Sequence, residues 1–180
     1  MKILSFLFLL VVIPVSLFSQ SFNTAEIIHP KRYSVGINPV LYEKEPGIFI
    51  HGGYGINKKI DVSVKYGLLE GSDYIGADLE WLLGRVEKVD ISLITGGHIR
   101  EDIGLDAGGV LSFAVTHYAT IFTGIDFDFV FMKEFEHYTW IPLGVEVMFK
   151  NNASFILEAD VPMSEWAWNI FGGGVMFYFR

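Results

Sequence analysis

From residue 31 onward, apolar and polar side chains alternate along the chain. Residues 89–99 set Val89, Ile91, Leu93, Thr95 and Ile99 on one face. Asp90, Ser92 and His98 stand on the other, with Ile94 as an apolar exception. Residues 121–131 oppose Ile121, Ile125, Phe127, Phe129 and Phe131 to Gly124, Asp126 and Asp128. Residues 141–149 and 154–161 repeat the pattern, with Glu146, Glu158 and Asp160 on the polar side. Because successive strand side chains point to opposite faces, period two predicts strands with one apolar and one polar face.

Ten such segments are predicted: 31–38, 47–56, 60–69, 74–83, 89–99, 105–115, 119–131, 139–149, 153–161 and 167–179. Turn chemistry separates them, as in NKK (57–59), EGSD (70–73), GRVEK (84–88), REDIG (100–104) and KNN (150–152). Residues 39–46, PVLYEKEP, read as the longest connection. Residues 107–125 lack Asp, Glu, Lys and Arg, but their glycines, threonines and β-branched alternation suit two strands better than a membrane helix. The expected fold is all-β: an antiparallel up-and-down transmembrane barrel of ten strands, eight being the alternative.

The N-terminus departs from this pattern. Lys2 precedes an apolar run over 3–15 and then SLFSQ, the order of a secretory signal peptide. The run is short of the ~20 residues a membrane-spanning helix needs. The expected organisation is a signal peptide at 1–20, an N-terminal arm at 21–30 and a barrel domain at 31–180.

Composition favours lipid as part of the solvent. The chain is 51% hydrophobic and 16% aromatic, with only 19% charged residues. Its net charge of −8 and lack of a basic run give no basis for a nucleic-acid partner. The absence of cysteine removes disulfides and thiol chemistry. Aromatic residues gather at segment ends (Tyr33, Tyr54, Trp81, Phe149, Phe155, Phe177, Phe179), as in the interfacial girdles of membrane barrels. The connections also alternate in sign. Odd ones carry Glu43, Glu45, Glu70, Asp73, Glu101, Asp102, Glu134, Glu136 and Glu165 against Lys44, Arg100 and Lys133. Even ones carry Lys58, Lys59, Arg85, Lys88 and Lys150 against Glu87, which suggests two rims in different surroundings.

An export signal, an even number of period-two segments and a terminal aromatic run, FGGGVMFYFR, together resemble the small Gram-negative outer-membrane β-barrels, the OmpA-like or porin-like group. The resemblance implies residence in the outer membrane, contact with its lipid, a monomer, and handling by the barrel-assembly machinery. It assigns Phe177, Tyr178 and Phe179 as the assembly signal, with Arg180 trailing it. It implies no cofactor.

With apolar faces outward, the lumen collects Asp61, Asp78, Glu80, Asp90, Asp106, Asp126, Asp128, Glu146, Glu158 and Asp160. Arg32 and Lys65 oppose them, with His51 and His98 as helpers. One reading is a wet interior with some carboxyl groups protonated. The sharper one is a contact for Ca²⁺ or Mg²⁺ at Asp126, Asp128, Glu146, Glu158 and Asp160, since hard cations prefer oxygen ligands. No catalytic residues are assigned, because no histidine falls in a serine hydrolase motif. The expected role is structural or binding, with a filled or narrow, acidic lumen. The alternatives are a small cation-preferring channel and, third, a lipid-acting enzyme.

Overall fold

A computed structural model describes residues 23–24, 26–42, 44–131, 135–149, 152–165 and 167–180. The expected signal peptide at 1–20 lies outside the described residues. Ten strands follow in order: β1 (Tyr33–Tyr42), β2 (Glu45–Gly55), β3 (Ile60–Leu68), β4 (Tyr74–Val86), β5 (Val89–Ile99), β6 (Ile103–Ala114), β7 (Ala119–Phe131), β8 (Phe135–Met148), β9 (Ala153–Pro162) and β10 (Ile170–Phe179). Each pairs antiparallel with its sequence neighbours, and β1 pairs with β10, so the sheet closes on itself. Closure leaves no strand edge unpaired, the condition a sheet must meet to cross lipid.

Alternation sorts the two faces. Val35, Ile37, Leu79, Leu93, Ile121, Leu143 and Phe171 are among the large apolar side chains left exposed on the outside. Such an apolar outer wall makes a lipid-facing band and would be anomalous in water. At the end of the barrel that holds both termini, Tyr33 lies 4.9 Å from Tyr54 and stacks 6.0 Å from Phe179, joining β2, β1 and β10 in one aromatic patch.

Several boundaries differ from the pattern-based reading. β1 continues to Tyr42 and β2 starts at Glu45, so the expected long connection at 39–46 is strand. Lys44 makes the reversal there with φ 74°. Pro39 conceals this continuity because it lacks an N–H. The β1–β10 register accordingly runs from Ile37 to Val40 without Asn38 or Pro39. The longest connection is instead 163–169, which contains Trp168. That side chain was expected inside β10 and is half exposed; its carbonyl accepts the Trp140 indole N–H at 2.9 Å. β8 begins early enough to include His137, expected in a loop.

β4 also outlasts its expected end, through a bulge between Leu82 and Gly84. The extra residue reverses the inward–outward alternation beyond it. Arg85, read from the sequence as part of a turn, is therefore opposite Asp90.

Candidate functional site

The interior gathers the buried polar side chains of the described residues, and its layers follow from which inward positions are apolar. Val40, Phe49, Tyr74, Ile94, Val110, Phe122 and Ile156 form one buried cluster. They come from seven of the ten strands, so the cluster reaches across the lumen instead of lining one wall. Phe49 meets Tyr74 edge-on at 4.9 Å, and Tyr74 stacks on His98 at 5.8 Å. Gly76 makes the Tyr74 position available: a Cβ there would sit 2.7 Å from the tyrosine hydroxyl.

Around this cluster stand the carboxylates. Asp61, Asp78, Glu80, Asp90, Asp106, Asp126, Asp128, Glu146, Glu158 and Asp160 are all buried. Lys65, itself buried, forms an ion pair with Asp78 at 2.7 Å. Arg85 makes a two-point pair with Asp90 near the end that holds the termini. Burying a charge without a partner is costly, so these two pairs remove only part of the electrostatic burden.

At the same end, the N-terminal arm enters the lumen. The Ile28 amide donates to Asp61 Oδ2 at 2.8 Å, Thr24 Oγ1 donates to Glu146 Oε2 at 3.4 Å, and Asn23 Nδ2 comes within 3.5 Å of Asp78 Oδ2. Arm residues further from β1 thus meet carboxylates deeper in the barrel. The sequence reading gave the arm no role; its signal is the polar Asn23 and Thr24 just ahead of a barrel rich in acids. Tyr178 also points inward here, donating its hydroxyl to Glu146 Oε1 at 3.0 Å. Phe177 and Phe179 point outward, so the three terminal aromatics do not share a face.

The five carboxylates singled out from the sequence all face inward, but they do not converge. Asp128 is opposite Tyr138 on β8, whereas Glu146 lies eight residues further along that strand, a rise of ~26 Å at strand geometry. Glu158 and Asp160 fall between these levels, opposite Gly144 and Pro142. Asp128 is brought instead to Asp106, its direct partner across β6 and β7. His98 joins them: its ring nitrogen and one oxygen from each carboxylate lie within 4.8 Å of one another. This grouping is set by register. The short turn at 100–102 pairs His98 with Gly104, and the turn at 115–118 fixes Asp106 against Asp128.

A cavity of about 300 Å³ opens above this group at the mouth opposite the termini. Its lining includes His98, Asp128, Arg100, Glu101, Asp102 and Tyr138. Arg100 is turned away toward Ser72 Oγ, at 3.0 Å, and the Tyr42 ring, at 4.8 Å.

Comparison with solved structures finds the same architecture. The KdgM porin aligns with 82% of this chain and 99% of its own, at 8% identity and a TM-score of 0.53. The fold is that of the outer-membrane β-barrels. KdgM in complex with disordered oligogalacturonate aligns equally well, at 8% identity, a TM-score of 0.53, and the same 82% and 99% coverage. The N-terminal β-barrel domain of Pseudomonas aeruginosa OprF aligns with 83% of this chain and 98% of its own, at 13% identity and a TM-score of 0.43. No protein-family model matches the chain, and no curated protein sequence does. The chain is a membrane β-barrel protein whose ten strands carry an apolar exterior and a polar, partly apolar-packed interior.

Proposed function

We propose that this barrel resides in the outer membrane and serves a structural or binding role with its lumen closed. The observation that carries this reading is the buried cluster contributed by seven strands across the lumen. The arm residues Asn23, Thr24 and Ile28 add to it from the end that holds the termini. On this reading that end faces the periplasm, residues 1–20 are removed on export, and Phe177, Tyr178 and Phe179 present the chain to the assembly machinery. The closed hydrogen-bonded sheet suits a monomer surrounded by lipid, and the role is non-enzymatic.

The test is conductance in a planar bilayer, comparing the barrel beginning at residue 21 with one beginning at residue 31. The longer form is expected to conduct little or nothing, and removal of the arm to raise conductance only modestly because the packed layer persists. A steady, large conductance from the longer form would overturn the closed lumen.

A second reading, a small cation-preferring channel, is favoured by the ten buried carboxylates against Lys65. The same charge excess argues against giving this chain the anionic oligogalacturonate bound by the KdgM porin, since like charges repel along a narrow path. Any current should be cation-selective, and selectivity should fall when Asp126, Asp128 and Glu146 are neutralised together. Anion selectivity would remove this second reading.

A further inference from the structure

Asp106 and Asp128 stand directly opposite each other on β6 and β7, both fully buried. Two like charges in such a cross-strand pair repel, and low-dielectric surroundings magnify the cost. Hydrogen bonds among the described residues do not offset that cost. None of their four carboxylate oxygens has a hydrogen-bond partner among the described residues. The buried base, Lys65, is committed to Asp78 at 2.7 Å, and Arg100 is held at the rim by Ser72 and Tyr42. Asp126, one inward position along β7 from Asp128, adds a further buried acid.

We propose that His98, Asp106 and Asp128 form a binding site for a first-row divalent cation of the Zn²⁺ or Mn²⁺ class, reached from the mouth opposite the termini. The donor atoms lie within 4.8 Å of one another. Metal–ligand bonds of ~2.0–2.2 Å place opposed donors ~4 Å apart, so small side-chain rotations close the set around one ion. An imidazole beside two carboxylates suits a borderline cation; Ca²⁺ and Mg²⁺ favour oxygen throughout. The support behind the ligands is also present. Tyr74 stacks on the His98 ring with an interplanar angle of 12°, and Phe49 packs edge-on against Tyr74, which fixes the imidazole plane. The cavity of about 300 Å³ supplies an entry route, with Glu101 and Asp102 at its rim offsetting Arg100. Three protein ligands leave a coordination position directed toward that cavity, the arrangement of a site that can also hold a second ligand. Failure of this site leaves the closed-lumen reading intact, since conductance tests that separately.

The test uses the full folded barrel in detergent, stripped with EDTA and titrated with ZnCl₂, with MnCl₂ and, for comparison, with CaCl₂. Bound metal is counted by mass spectrometry and affinity is read by calorimetry. One ion per chain is expected. His98→Ala should weaken binding by at least ~10-fold, and the Asp106→Asn/Asp128→Asn double variant should abolish it. Asp128→Asn alone provides the same reading if the double variant does not fold. The proposal is overturned if no ion binds stoichiometrically or if binding persists in the Asn variants. Ca²⁺ binding as tight as Zn²⁺ binding and indifferent to His98→Ala would overturn it equally.

Discussion

Arg85 pairs with Asp90 because β4 holds one residue more than β5 between Leu82 and Gly84. Strict alternation from Asp78 would place Arg85 on the lipid side. The bulge restores it to the lumen side, opposite Asp90. A further residue inserted beyond the bulge should therefore do more damage than removing the charge. Arg85→Ala should cost about 0–1 kcal/mol, since its side chain is 64% exposed and solvent screens the pair. Inserting one alanine after Gly84 should put Arg85 and Val86 on the wrong faces and lower the folded fraction, whereas deleting Leu83 leaves Gly84 opposite Ile91 and Arg85 opposite Asp90 and should be tolerated. Urea midpoints of the refolded barrel separate the two outcomes; equal losses would contradict the bulge assignment.

The Lys65–Asp78 pair is the opposite case, with side chains 2% and 4% exposed. Lys65→Met should destabilise by ~3–5 kcal/mol because it strands a buried carboxylate. Adding Asp78→Asn should recover much of that loss. A double variant no more stable than the single one would show that the pair is not the relevant interaction.

The two faces of β7 and β8 offer a direct test of which side meets lipid. Leu143 is an exposed apolar side chain in the body of β8, where Arg should cost ~2–4 kcal/mol near the bilayer midplane. Thr120 lies opposite Glu146 on the lumen side, so Thr120→Lys should be near neutral or mildly stabilising. The fraction that shifts mobility on heating in SDS gels reads both. Equal damage from both variants would place the lipid face wrongly.

At the closing seam, Phe179 stacks on Tyr33 and is the last β10 residue paired with β1. Deleting Phe179 and Arg180 together should reduce insertion into the membrane fraction, and deleting Arg180 alone should leave it nearly unchanged. Full insertion of the shorter chain would exclude an assembly role for the terminal aromatic.

The strand number, the closure and the inward set of ten acids were legible in the sequence. Period two is a local signal: each residue's face follows from its neighbours two positions away, and lipid outside demands that one face be apolar throughout. Pro39 and Trp168 misled because each has a local meaning that the sheet overrides. A proline in β1 reads as a connection until its missing N–H falls where the β1–β10 ladder has a gap, and an aromatic next to a strand reads as part of it. The convergence of His98, Asp106 and Asp128 was hidden for another reason. Face assignment says which residues point inward, but height in the barrel depends on turn lengths and the bulge in β4. A one-residue change in register moves a carboxylate from one partner to another, so Asp128 was grouped from the sequence with Glu146 and stands in the barrel beside Asp106. The arm's entry into the lumen required the closed sheet as well, since only closure creates the buried acids that its amides and hydroxyls reach.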